Sequence, residues 1–175
     1  KLKWIAAGGD PNKSTIIPVP VEVPDYGTES YIQEFGWEDK FVFGMHQRDN
    51  IHIFSPVPLE AYEEIQSDDT AFLILGGSTN HRKQAKDYQL KNVKFLDTTS
   101  DISLIHKFLN TLNVYAHGRS DGEQCSSAII EGLSHSLPMI SHTAVSMGQL
   151  EQIGGAGVVV DGYEEYAQSM KKMMN

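Results

Sequence analysis

His117-Gly118-Arg119-Ser120-Asp121-Gly122-Glu123-Gln124-Cys125-Ser126-Ser127-Ala128-Ile129-Ile130-Glu131-Gly132-Leu133 is the stretch that decides how this chain folds. The run from Asn113 to His117 reads as a strand, the glycines, serines and Arg119 as a loop, and the run from about Ser126 as a helix with a serine cap. The same order recurs along the chain. Short apolar runs at 41–44, 71–75, 93–96, 113–117, 139–141 and 157–160 alternate with helical candidates at 58–66, 101–110, 126–135 and 163–174. Pro58 suits a first helical turn, and Ile102, Ile105, Leu109 and Leu112 recur at the spacing of one helical face. Strands and helices alternating through connections too long for hairpins predict an α/β fold with a doubly wound parallel sheet. Ligands of such sheets sit outside the carboxyl ends of the strands, which directs attention to loops 44–53, 76–81, 97–101 and 117–127.

Composition narrows the partners. A chain of 175 residues is the size of one ordinary domain, and 40% hydrophobic against 21% charged residues is enough to build a core. Fourteen basic against 23 acidic residues leave a net charge of −9, which repels nucleic acid and anionic lipid surfaces but allows a locally positive pocket for a small anion. The single Cys125 cannot form an internal disulfide or a Cys-x-x-Cys zinc site and suggests a reducing compartment, so a cytoplasmic location is expected. No apolar run reaches the roughly 18–20 residues of a membrane span, and residues 1–9 are too short of apolar sequence for a secretory signal. The chain starts at Lys1, as a processed chain or an excerpt of a longer one would.

Upstream of residue 40 the pattern is irregular. Trp4-Ile5-Ala6-Ala7 before Gly8-Gly9-Asp10-Pro11 reads as the end of a strand, and three prolines between Ile16 and Pro24 read as an extended connector.

The loop 117–127 has the make-up of an anion site. The first turn of a helix leaves N–H groups without intrahelical partners, and the macrodipole adds positive character there. The plainer alternative is that Ser126 or Ser127 only caps the helix. Glu131 lies among Ala128, Ile129, Ile130 and Leu133, where a carboxylate needs partners. It sits roughly 7 Å along the helix axis from Ser126, near the span from a diphosphate to its ribose. A ribose diol would satisfy it; so would an i, i+4 pair with His135.

These residues carry a resemblance. Glu123-x7-Glu131, with Gly122 before it and Gly132-Leu133 and Leu137-Pro138-Met139-Ile140-Ser141 after it, resembles the signature of retaining glycosyltransferases of the GT-B fold, family 4, the glycosyl transferases group 1. Phe41-Val42-Phe43-Gly44 with Arg48 is similar to the first strand and phosphate-binding arginine of that family's donor domain. Residues 71–77 resemble its second strand, and Val93-Lys94-Phe95-Leu96-Asp97 the strand whose following loop meets the base.

The resemblance implies that residues 40–175 are the Rossmann-like, nucleotide-sugar-binding half of a GT-B fold and that 1–39 are an N-terminal extension and interdomain linker. It implies a transferase that moves a sugar from a donor such as a UDP- or GDP-sugar, without cofactor or metal, to a glycan, lipid or protein acceptor held through a missing N-terminal domain. Glu131 would hold the ribose, the amides around Cys125, Ser126 and Ser127 the diphosphate, Arg48 its charge, and Glu123 with Gln124 the donor sugar. Glu123 and Arg48 are thereby the catalytic pair, and Gly44, Gln47, Asp97 and Gly122 complete the substrate-binding set.

The sequence departs from the family at two points. The lysine about five residues after the arginine is missing, with His52 as the only nearby cationic substitute, and Cys125-Ser126 replaces an aromatic-glycine pair. These departures keep two other readings open: a catalytically silent nucleotide-binding or scaffold module, and a sugar-nucleotide epimerase or hydrolase. Other features have their own alternatives. Cys125 at a helix start has the setting of a nucleophile, while His46 and His52 have a spacing seen in some metal sites but lack a third ligand. Arg119 either enters the pocket or pairs with Asp121, and Gly76-Gly77 either meets a ligand or ends a strand. A glycosidase pairing of Glu123 with Glu131 is rejected, because an acid inside a helix behind an anion site is badly placed to protonate a leaving oxygen.

Overall fold

The computed structural model describes residues 5–13 and 25–175. The chain runs through a short helix α1 (Ile32–Phe35), β1 (Phe41–Gln47), α2 (Val57–Glu63), β2 (Thr70–Gly76), α3 (Thr79–Asp87), β3 (Val93–Leu96), α4 (Ile102–Leu109) and β4 (Val114–Ala116). It continues through β5 (Gly122–Glu123), α5 (Ser127–Ser134), β6 (Met139–His142), β7 (Ser146–Met147), α6 (Gly148–Ile153), β8 (Gly157–Val160) and α7 (Gly162–Met173). Six strands form one sheet in the order β3-β2-β1-β4-β6-β8, every pair parallel, as the alternation of elements requires. The order reverses between β1 and β4. That reversal opens a crevice beyond their carboxyl ends, the ligand position of doubly wound sheets.

Burial explains the strand patterns. All seven residues of β2 are buried, as a central strand covered on both faces requires, whereas edge strands β3 and β8 are only partly covered. Phe43, Phe72, Ile74, Phe108, Tyr115 and Tyr166 are among the fully buried side chains that fill the layers. Gly44 sits in mid-strand, where a Cβ would lie 2.5 Å from both Leu112 Cδ2 and the Leu73 carbonyl oxygen. The chain needs glycine there for packing.

Several expectations shift. Ile5 and Ala6 are helical, with the Gly8 N–H donating to the Ile5 carbonyl at 2.9 Å. The described part of this segment is therefore a helical turn and gives no strand to the sheet. The proline-rich stretch 16–24 lies outside the described residues. Between 25 and 39, Tyr31 and Trp37 are buried in the core, and Asn110 Nδ2 donates to the Gly27 and Glu29 carbonyls at 3.2 Å each.

On α4, Ile102 is 66% exposed although Leu109 is buried. Ile105, one turn on, lines the crevice, while Ile102 is left in solvent. Helix α3 has no apolar stripe. Its start is held by Ser78 and His81 in a reciprocal capping arrangement, and Gln84 ties it to the Pro56 carbonyl at 2.9 Å.

Candidate functional site

A cavity of about 410 Å³ opens at the crevice, walled by the end of β1, the loop after β4 and the first turns of α5. The loop is held from both sides. Gln47 Nε2 donates to the Ile53 and Gly118 carbonyls, each at 3.2 Å, and Ser120 Oγ donates to the His52 carbonyl at 3.2 Å. Beyond it, β5 and β7 form a two-residue parallel pair that carries Glu123 to the cavity wall. Gly122 adopts φ 71°, the left-handed region, and a Cβ there would stand 1.9 Å from the Ser146 carbonyl oxygen.

Glu123 is nearly buried and lies beside two cationic or potentially cationic groups. Arg119 Nη1 donates to its Oε1 at 3.2 Å, and His117 Nε2 lies 3.6 Å from the same oxygen. Burial alone would raise the Glu123 carboxyl's pKa, but His117 and Arg119 outweigh that and hold it below its ordinary value, so Glu123 is an ionised acceptor. Arg119 also grips Asp121, through Nε at 2.6 Å and Nη2 at 3.0 Å, and that pairing lowers the Asp121 carboxyl. Both sequence alternatives for Arg119 therefore hold: it pairs with Asp121 and lines the cavity.

Helix α5 begins as the sequence implied. Ser126 caps it, its hydroxyl accepting from the Ile129 N–H at 3.4 Å. The Ser126 N–H is already taken: it donates to Gln152 Oε1 at 2.8 Å, which withdraws this amide from the set expected to meet an anion. The N–H groups of Ser127 and Ala128 have no acceptor among the described residues and sit on the cavity wall. Two glutamines that carried no sequence signal hold this corner. Gln152 also donates to the Ser126 carbonyl, and the fully buried Gln149 accepts from the Glu123 N–H at 3.2 Å while donating to the His142 carbonyl.

Glu131 lines the same cavity one turn further along α5, its side chain 39% exposed. Its partner is His46 at the end of β1, Nε2 to Oε2 at 2.7 Å. His135 instead bonds Asn110 Oδ1 at 2.9 Å and His106 Nδ1 at 3.0 Å, so the i, i+4 pairing does not form. Arg48 is exposed at the cavity mouth, without an ion pair or hydrogen bond among the described residues. Its charge nevertheless acts on Asp121, whose carboxyl it helps to lower after Arg119.

Of the remaining expected residues, Gln47 and Cys125 line the cavity. Gly44 and Gly122 are backbone and packing positions, and Gln124 is exposed outside the lining. Asp97 is exposed too, and its neighbours Thr98 and Thr99 line a smaller adjoining pocket of about 160 Å³ shared with His46 and Arg48. His52 is exposed on the turn Ile51–Ile53 and does not reach the cavity, so it does not stand in for the missing lysine. With His46 bonded to Glu131, the two histidines share no site, and the described residues contain no cluster of three metal-ligating side chains. Gly77 donates its N–H to the Gln47 carbonyl at 2.6 Å, so the Gly76-Gly77 pair ends a strand against backbone.

Residues 41–175 match the family described as glycosyl transferases group 1. The chain belongs to that family. Solved structures similar to this glycosyltransferase domain include HepE from Anabaena in complex with UDP, at 18% identity and a TM-score of 0.82 over 99% of this chain and 51% of that one. The apo lipopolysaccharide outer core galactosyltransferase WaaB is 12% identical, with a TM-score of 0.74 over 98% of this chain and 49% of its own. A glycosyltransferase from Rickettsia africae is 16% identical, with a TM-score of 0.76 over 95% and 48%. The domain spans about half the length of these structures and has the Rossmann-like α/β fold of one half of a GT-B glycosyltransferase. No curated protein matches the sequence.

Proposed function

We propose that this domain binds the nucleoside diphosphate sugar donor of a retaining glycosyltransferase. The observation that carries the reading is one cavity joining Arg48, the open amides of Ser127 and Ala128 at the start of α5, and Glu131 a turn further on. A diphosphate meets the helix start and Arg48, and the ribose diol donates to Glu131. Glu123, kept ionised by His117 and Arg119, accepts from hydroxyls of the donor sugar. The complexes of HepE with UDP and with UDP-glucose support a uridine donor as the first probe.

In transfer, the bond from the sugar's anomeric carbon to the diphosphate oxygen breaks and its electron pair leaves with the diphosphate. An acceptor hydroxyl forms the new bond on the same face, and its proton passes to the departing diphosphate oxygen. Arg48 and the helix-start amides act where negative charge grows, which is stabilisation of the oxyanion-hole kind. The acceptor, a glycan, lipid or protein, belongs to a region outside this domain. No described helix is long and apolar enough to cross a membrane.

Titration calorimetry with UDP and GDP, then with their sugars, tests the reading. Saturable binding of one diphosphate is expected. Absence of heat from all of them would favour a scaffold, and free sugar released without acceptor would favour a hydrolase.

A further inference from the structure

The Glu131 carboxylate is half-exposed, on a side chain with several rotatable bonds, and a free glutamate of that kind samples many rotamers. Here it is not free. His46 reaches it from β1, and the imidazole is itself fixed, only 15% exposed and edge-on to Phe108 and Tyr115 at ring separations of 5.7 and 5.5 Å.

Hydrogen-bond direction follows from the partners. An ionised carboxylate only accepts, so the 2.7 Å contact requires the proton on His46 Nε2. The Tyr115 hydroxyl is fully buried, and burial raises its pKa, so it keeps its proton. It stands 3.1 Å from His46 Nδ1 and accepts the His46 backbone N–H at 3.2 Å. His46 therefore donates at Nε2 to Glu131, while the Tyr115 hydroxyl, which also donates to the His46 carbonyl at 3.3 Å, holds the other side of the ring. The core strand β4 thus orients a side chain on β1, which orients a carboxylate on α5.

We infer that His46 is a positioning residue for ribose recognition: it holds Glu131 Oε2 by one lone pair and leaves Oε1 and the remaining lone pair of Oε2 for the diol. The inference rests on the donor-site reading above. Its energetic content is preorganisation, since the carboxylate is ordered before the nucleotide arrives.

The test compares UDP with 2′-deoxy-UDP, and GDP with 2′-deoxy-GDP, by titration calorimetry on the wild type, His46→Ala, His46→Gln and Glu131→Gln. His46→Ala is expected to weaken the ribonucleotide about 3–10-fold, the cost of ordering one long side chain, while changing the deoxynucleotide little. His46→Gln, whose amide N–H takes the place of Nε2–H, should restore most of the difference. Should His46→Ala fail to fold, His46→Phe keeps a ring between Phe108 and Tyr115 without a donor and is expected to behave as the alanine variant would.

Equal weakening of ribo- and deoxynucleotide, or no restoration by glutamine, overturns the role of His46. If Glu131→Gln narrows the ribose preference and neither His46→Ala nor His46→Phe does, only this inference falls. If Glu131→Gln leaves that preference intact, the donor-site reading falls with it.

Discussion

Replacing Gly122 by alanine probes how the backbone delivers Glu123 to the cavity. Gly122 holds φ 71°, and for an L-residue that left-handed conformation costs about 1–2 kcal/mol. The added Cβ would also stand 1.9 Å from the Ser146 carbonyl oxygen and 3.0 Å from Ala144 Cβ. Gly122 and Ser146 are register partners in the β5–β7 pair, so relief requires the strands to part, an overpacking cost of about 1–3 kcal/mol. The combined destabilisation is roughly 3 kcal/mol, which for a chain of this size lowers Tm by about 6–12 °C.

Parting the pair also strains the bonds that aim Glu123: Ser146 Oγ to its carbonyl at 3.0 Å and its N–H to Gln149 at 3.2 Å. Gly122→Ala is accordingly expected to lose more affinity for a nucleotide sugar than for the bare nucleoside diphosphate. Scanning calorimetry and parallel titrations measure both effects. Gly155→Ala, where nothing lies within 4 Å of the new Cβ, serves as the control and should leave Tm almost unchanged. A Gly122→Ala protein that melts within about 2 °C of wild type would refute the steric reasoning.

Three further outcomes are expected. Glu131→Gln removes the charge from the ribose contact and should weaken UDP by about 10-fold or more, since hydrogen bonds to charged groups contribute about 1.5–3 kcal/mol; circular dichroism should show an unchanged fold. Arg48→Ala should weaken UDP while leaving uridine binding and Tm unaltered, because Arg48 has no ion pair or hydrogen bond among the described residues to lose; equal loss for both ligands would place it against the nucleoside. His81 is buried, and burial lowers its pKa to about 4 from 6.5, so below pH 6.5 the unfolded chain binds the extra proton. Stability should therefore fall as pH drops from 6.5 towards 4, by up to about 1.4 kcal/mol per pH unit from this group. Urea titrations at pH 7, 6 and 5 should show a shallower decline in His81→Leu.

Much of the architecture was legible because local chemistry and tertiary structure agree. The branched and aromatic runs at 41–44 and 71–75 are central strands, and the predicted helix at 126–135 starts on Ser126, whose hydroxyl caps it. Helix α3 was not legible. Its residues are almost all polar, and it is held by a cap, the Gln84 contact, Arg82 over the Phe95 ring and the single small apolar Ala85, none of which leaves a periodic apolar signal. The pairing of β5 with β7 was hidden for a related reason: two-residue strands have no pattern, and their partners lie 24 positions apart.

At the site, sequence alone determined the residue types on one helix: a serine start, open amides and an acid a turn later, fixed relative to each other by helical geometry. Tertiary structure decided what those groups meet. It removed the Ser126 amide by bonding it to Gln152, brought His46 across 85 positions to Glu131, and put Arg119 between Asp121 and Glu123. Spacing within an element is set by covalent geometry and the local hydrogen-bond ladder, so it can be read from sequence. Contacts between elements depend on sheet order and on the torsions of loops, and no residue along the chain encodes those by itself.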